Sequence, residues 1–315
     1  MAITSNFSGE VLSDFMSRAT LGSETLAGGY MAVHDRIMDK KSLPRIQMAN
    51  IIQDHSVTPT SAGTYTIDER QLIPVPFLAF QTFNPRDFEA FWPFANSTDG
   101  DLMSRELPLA ARVAFIQQIA MLVGEFLEDG VWQATTSTGA SVLQDKWNGI
   151  VTRAAADANV LKVTGPVALD ATNVLDKIAA TRDRLLSSGG RGRSVWNNQN
   201  CKIFTSHTTG DLVRENLEAK TYKGKEVTDA YELMFQGREI VTLQGIPDDT
   251  ILITRASSDV LTSNLHVGFD WQYDTAGPVI EINRYRPESE LFFFKVLMQA
   301  DTNYTWSEEI GFYQA

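Results

Sequence analysis

The sequence holds one cysteine in 315 residues, Cys201. A single thiol excludes an internal disulfide framework and fits a protein made in a reducing cytoplasm. Cys201 stands in the apolar run Cys201-Lys202-Ile203-Phe204 and reads as a small buried hydrophobe, not a nucleophile. No stretch of about 20 apolar residues is present, as a membrane-crossing helix would need; the run Leu291 to Phe294 is stopped at once by Lys295. Met1 to Ser5 carries no basic region leading into an apolar block, so no secretory signal is expected, and a soluble protein is. Positive charge is in deficit: 27 Lys and Arg against 39 Asp and Glu leave a formal net charge of -12. That argues against tight wrapping of nucleic acid, which needs cations on the phosphates, but not against merely enclosing it.

The usual marks of catalysis are missing too. The four histidines, His34, His55, His207 and His266, are scattered, with no His-Glu-x-x-His and no Cys-x-x-Cys, so no zinc site is expected. Ser206-His207 lacks a Gly-x-Ser-x-Gly elbow and reads as a helix N-terminus. Gly189-Gly190-Arg191-Gly192-Arg193 lacks the Walker spacing and follows a helix instead of opening one, so it reads as a C-cap and flexible loop. Glu125, Glu128 and Asp129 fall near the end of a helix and read first as a solvated face, with a divalent-cation site as the alternative; carboxylates are mildly unfavourable there, which leaves room for a partner. Asp248-Asp249 is a turn signal. No catalytic, cofactor-binding or metal-binding residue is assigned, and no enzyme is expected.

What is present is a foldable chain. Hydrophobic residues make up 43% and charged residues 21%, too apolar a balance for disorder. The length allows one large domain or two to three small ones. Residues 1–55 are Gly-punctuated and poor in large apolar side chains; Val11, Leu12, Phe15 and Met16 have the spacing of a short amphipathic helix, and Lys40, Lys41 and Arg45 form a basic patch. In residues 56–104, Thr64-Tyr65-Thr66-Ile67 favours a strand, and Pro74 and Pro76 confine the following run to an edge or a protruding ribbon. The aromatics Phe83, Phe88, Phe91, Trp92 and Phe94 form a cluster that wants to be covered by this subunit or a neighbour.

The spacing predicts a long helix over 108–132. Leu109, Val113, Ile116, Ala120, Val123 and Leu127 make one stripe, and Phe115, Ile119, Leu122 and Phe126 a second beside it, so contact on more than one side is expected. From residue 150 the pattern is α/β. Asp170 caps a helix with Val174, Ile178 and Leu185 that ends at Gly189-Gly190; a strand at 202–204, a helix from Thr208 or Thr209, and strands at 240–243 and 251–253 follow. The last 40 residues read as a strand over 279–285, a turn, and a long apolar strand over 291–300. No linker divides the chain, so interleaved domains are expected.

This order of parts resembles the HK97-type major capsid proteins of tailed bacteriophages over most of the chain. The resemblance is carried by Cys201-Lys202-Ile203-Phe204-Thr205-Ser206 leading into a helix, by the Gly-apolar-Pro turn Leu243-Gln244-Gly245-Ile246-Pro247, by Leu265-His266-Val267-Gly268-Phe269, and by the closing strand Leu291 to Gln299. It implies an α+β fold: an N-terminal arm at 1–55, an extended β loop at 56–104, a peripheral domain of 105–149 and 263–315 built on a spine helix, and an α/β axial domain at 150–262. The Gly189–Arg193 segment would be a loop at the axial tip. Phe83, Phe88, Phe91, Trp92, Phe94, Arg191 and Arg193 would then make contacts between subunits.

The resemblance also implies a function: self-assembly of hexamers and pentamers into an icosahedral shell that encloses double-stranded DNA without reading its sequence. Partners would be further copies, a separate scaffold, a portal and decoration proteins, with no membrane; the location would be the virion. No Lys–Asn cross-linking pair is identified. Two other readings stand beside it: an encapsulin-like shell around a cargo protein, and an α/β enzyme whose site carries no motif seen above.

Overall fold

The computed structural model describes residues 5–7, 22–37, 39–58, 60–84, 109–136, 146–187, 189–219, 233–270, 280–286 and 291–315. In chain order these form β1 (Ser5–Phe7), α1 (Glu24–Ala27), β2 (Ala32–His34), β3 (Lys41–Ala49), β4 (Thr64–Leu72), β5 (Val75–Phe83), α2 (Leu109–Gln133), α3 (Ile150–Ala156), β6 (Leu161–Lys162), α4 (Val174–Ser187), α5 (Gly190–Asn197), β7 (Cys201–Thr205), α6 (His207–Ala219), β8 (Met234–Phe235), β9 (Arg238–Thr242), β10 (Thr250–Arg255), β11 (Leu265–Asp270), β12 (Ile280–Arg284), β13 (Phe292–Tyr304) and β14 (Gly311–Gln314). A 3-10 turn over Ser307–Glu309 joins the last two strands. The proposed helix around Val11 to Met16 lies outside the described residues.

Two six-stranded sheets and one two-stranded ribbon carry these elements. The first sheet is organised on β13. Its 13 residues pair with β12 and then β11 along one edge, and with β5 along the other, from Phe292↔Phe83 to Ala300↔Val75. β5 has no further partner among the described strands, so Pro76, which lacks an N–H, lies on an edge strand, where proline is tolerated. β2 adds in parallel to β11, and β1 adds to β12. The inward residues Phe294, Val296 and Met298 of β13 share one core with Ile116, Ala120, Val123 and Leu127 of the long helix α2. The first stripe of that helix is therefore buried wherever it is described. In the second stripe Ile119 and Phe126 are half-buried and Leu122 is exposed. At 25 residues the helix is about 37 Å long.

The second sheet runs β6-β14-β10-β7-β9-β8. Alternate residues feed two cores. Cys201, Ile203, Ile240, Ile251, Ile253 and Tyr313 face a cluster with Val174, Ile178 and Leu185 of α4 and Val213 of α6. Phe204, Val241, Leu252 and Phe312 face the core that contains α2. Burial on both faces explains why these strands read as unbroken apolar runs without alternation. Gly245, in the Gly-apolar-Pro turn, permits a close approach: a Cβ there would lie 2.4 Å from the Glu128 carbonyl oxygen.

Three expectations change. The ribbon is β3 with β4, residues 41–72, so its first strand falls in the segment read as arm, whereas Val75–Phe83 belongs to the first sheet. Pro44 and the charged residues of β3 hid that strand. The Gly189–Arg193 segment is not a loop. Gly189 turns the chain at φ 94°, and Gly190–Asn197 then forms a helix that packs on α4 and on the 3-10 turn. Finally, β14 returns to the second sheet and sits between β6 and β10, away from the sheet that β13 organises.

Candidate assembly surfaces

The ribbon carries nine register pairs, Lys41↔Leu72 to Ala49↔Thr64. Opposed residues share a face. Ile46 stands opposite Ile67 and Met48 opposite Tyr65, on one face; Arg45 stands opposite Asp68 and Gln47 opposite Thr66, on the other. The polar face borders a cleft of about 150 Å³ against Asn159, Trp306, Ser307 and Glu308 of the same chain. The apolar face looks outward: Ile46, Met48, Tyr65 and Ile67 are 56%, 59%, 72% and 68% exposed. Ile52 and Val57 in the connecting segment are exposed as well. A monomer gains nothing from this orientation, and apolar faces of this kind mark contact surfaces.

The base of the ribbon is held by a polar network. Arg70 of β4 donates to Asp157 Oδ2 at 2.6 Å and to Ser307 Oγ at 2.6 Å, and its guanidinium lies over the Tyr304 ring at 4.3 Å. The Tyr304 and Ser307 hydroxyls also donate to Asp157, each at 2.9 Å. Burial works to raise the Asp157 carboxyl, but the Asn159 amide, Arg70, Ser307 and Tyr304 outweigh it and hold the group down at about 2. The Ile73 amide and Arg153 both donate to Asp301 at 2.8 Å, and Asn303 donates to the Gln71 carbonyl at 2.8 Å. Asp301 is so enclosed that burial prevails over these contacts and raises its carboxyl. Arg45 pairs with Asp68, donates to the Thr305 carbonyl at 3.3 Å and sits 5.6 Å over Trp306. The basic patch of the sequence is thus partly an anchor.

The N-terminal segment 22–34 is clamped separately. Glu128, buried near the end of α2, accepts from Ser23 Oγ at 2.6 Å, the Thr25 amide at 2.9 Å and Thr25 Oγ1 at 2.6 Å. Trp132 Nε1 donates to the same Thr25 hydroxyl at 2.7 Å. The solvated face read for this helix end does not hold at Glu128, which is buried and bonded to this segment. Glu24 adds contacts to the Gln244 amide at 3.0 Å and to His207 at 3.1 Å.

A second apolar surface lies on the outer face of the first sheet. Leu78 and Phe80 of β5 are exposed, and the Phe80 ring lies 5.8 Å from Phe293 and 6.5 Å from Tyr285. Of the residues singled out in the sequence, Phe83 is half-buried in this sheet with its ring stacked on Phe292 at 6.2 Å. Phe88, Phe91, Trp92 and Phe94 lie outside the described residues. Arg191 is engaged within its own chain: its guanidinium is 3.4 Å over Trp306 and it reaches Glu309 at 3.2 Å. Arg193, two residues on, is exposed. The apolar ribbon residues were missed because sequence alone does not show which way a two-stranded ribbon faces; the strand signal at 64–67 was their only trace. Cys201 is buried, with its thiol pushed up to about 11 by burial, as expected of an inert residue. Among the described residues no group of three or more His, Cys, Asp or Glu side chains is placed to hold a metal ion, and no helix is long and apolar enough to cross a membrane.

No family model matches the chain, and no curated protein matches it in sequence. Solved structures do match. The chain is similar to a subunit of the satellite phage P4 procapsid, at 13% identity and a TM-score of 0.60 over 98% of this chain and 92% of that one. It is similar to a chain of the cyanophage A-1(L) capsid, at 10% identity and a TM-score of 0.59 over 93% of this chain and 92% of that one. It is also similar to the virus-like particle from Pyrococcus furiosus, at 10% identity and a TM-score of 0.50 over 96% of each chain. Likeness that spans nearly the whole of each chain gives this protein the HK97-type capsid fold.

Proposed function

We propose that this chain is a major capsid protein that assembles into an icosahedral shell around a phage genome. One observation carries the reading: on a capsid fold, the ribbon leaves Ile46, Met48, Tyr65 and Ile67 exposed on one apolar face. Such a face gains burial only from another chain, and repeated contacts of this kind close into a shell. In this reading residues 41–72 are the extended loop laid over a neighbouring subunit, Leu109–Gln133 is the spine of the peripheral domain, and the second sheet with its helices is the axial domain. Hexamers and pentamers are the expected capsomers. Scaffold, portal and decoration proteins are the expected partners, DNA is enclosed without base recognition, and the protein acts in the virion as a structural component, not as an enzyme. Exposed Arg193 and the Phe83 edge of the first sheet are further contact candidates.

The second reading is a shell around a cargo protein, favoured by the likeness to the Pyrococcus furiosus particle. Electron microscopy of the purified protein, alone and with co-purifying proteins, tests both. Closed shells or capsomer rings are expected. DNA protected from nuclease inside them selects the phage reading and an enclosed protein the cargo reading. Small uniform particles under every condition overturn both.

A further inference from the structure

Two of the four histidines meet in the interior. His34 of β2 and His266 of β11 are both buried, and His34 Nε2 lies 3.1 Å from His266 Nδ1. The other ring nitrogen of His266, Nε2, is 2.8 Å from Thr305 Oγ1. The strands they join pair over three residues in parallel, with His266↔Ala32 and Gly268↔His34 in register. β2 is three residues long and pairs with no other described strand, so its attachment rests on few ladder bonds, on this side-chain contact, on buried Met31 and Ala32, and on Ile37, whose amide donates to the Phe269 carbonyl at 3.4 Å.

A nitrogen-to-nitrogen hydrogen bond holds one proton between its two ends. One consistent arrangement has His34 Nε2–H donating to His266 Nδ1 and His266 Nε2–H donating to Thr305. Full protonation of both rings sets two N–H groups head to head and places two positive charges in the interior. The charged surroundings do not offset this. Lys41 of β3 repels a cation on either ring, while Asp35 favours one on His34. On β13, Asn303, in register with His266, is neutral, and Asp301, in register with the Gly268 that pairs His34, is a carboxyl raised by burial and engaged by Arg153; Thr305, just past the strand, is neutral.

We propose that His34 and His266 form an acid-released latch, which holds strand β2 on the first sheet at neutral pH and frees it as the pair takes up protons. Burial lowers both imidazoles, His266 to about 4, each also depressed by a neighbouring cation. The sign follows. The released strand binds more protons than the docked one, so docking is complete above the ordinary histidine value of about 6.5 and weakens as pH falls from there towards about 4. The segment around Thr25 stays tied to α2 through Glu128, so the strand lifts on a tether and does not leave the subunit.

The test is hydrogen exchange of the intact chain, corrected for intrinsic rates, between pH 7 and pH 4.5. Protection of residues 31–37 is expected to fall at least about tenfold, the equivalent of one pKa unit, while Cys201–Thr205 is unchanged. A double variant, His34→Gln with His266→Gln, is expected to lose this pH dependence. Constant protection in the wild type, or the same loss in the double variant, overturns the proposal. If the variant does not fold, exchange at the imidazole C2 position of the wild type gives both titrations directly: values well below 6.5 support the latch, and two values near 6.5 overturn it.

Discussion

The second sheet and the ribbon are built from the same kind of strand and follow opposite rules. In the sheet, Ile203, Leu252 and Ile253 are buried on both faces and the chain completes its own packing. In the ribbon, the polar residues Arg45 and Asp68 turn towards the body and Ile46 and Ile67 turn away from it. The contrast teaches that one chain completes its packing in some strands and leaves an apolar face open in others. The second sheet is packed within its own chain, while the ribbon leaves one face bare.

Substitutions divide along the same line, and the largest effect on the isolated subunit belongs to the body. Trp132→Ala removes a fully buried indole packed 5.5 Å from Phe204 and bonded to Thr25. A loss of about 4 kcal/mol is expected in denaturant unfolding. Glu128→Ala comes next, at about 3 kcal/mol, because three donors lose a charged acceptor in the interior. It also exposes residues 22–27 to proteolysis; retained protection there argues against the clamp.

Asp157→Asn tests the joint between the two regions. The carboxyl is held at about 2 against an ordinary value of about 3.9, a difference of roughly 2 to 3 kcal/mol by linkage. Because the folded value is depressed, this stability is present above pH 4 and is lost as pH falls from there towards 2. The variant should therefore be weaker at neutral pH and show a flatter acid limb in its unfolding profile.

The smallest effect on the subunit, within about 0.5 kcal/mol, is expected for Ile46→Asp with Ile67→Asp, since both side chains are exposed. The same pair should abolish shells under the microscope. A large stability loss together with intact shells would reverse the division drawn here. Hydrogen exchange of the monomer sharpens it further: amides of residues 45–49 and 64–69 should exchange far faster than those of 117–133, and comparable protection would place the ribbon in the body.

The sequence showed the body well. Unbroken runs such as Ile203-Phe204 and Ile251-Leu252-Ile253 are buried on both faces, and the stripe Ile116, Ala120, Val123, Leu127 marks a helix because its period is helical. Asp170 caps as read, with its carboxylate accepting from the Thr172 and Asn173 amides. What was hidden has physical reasons. β3 carries Pro44 and no inward stripe, since its apolar side faces out. Gly190–Asn197 is rich in glycine, which weakens local helix preference, and is held instead by buried Val195 and by Arg191 on Trp306 and Glu309. The strands β1, β2, β6 and β8, of two or three residues, are too short to show any period. The His34–His266 contact joins positions 232 residues apart, a distance that no local pattern spans.

β14 sits between β6 and β10, although residues 311–314 are made long after either. On the ribosome, β10 therefore carries an open edge, and Phe312 and Tyr313 are absent from both cores, until the last of these residues has emerged. The nascent chain cannot close its second sheet early. The second sheet is thereby kept incomplete until synthesis has delivered residues 311–314.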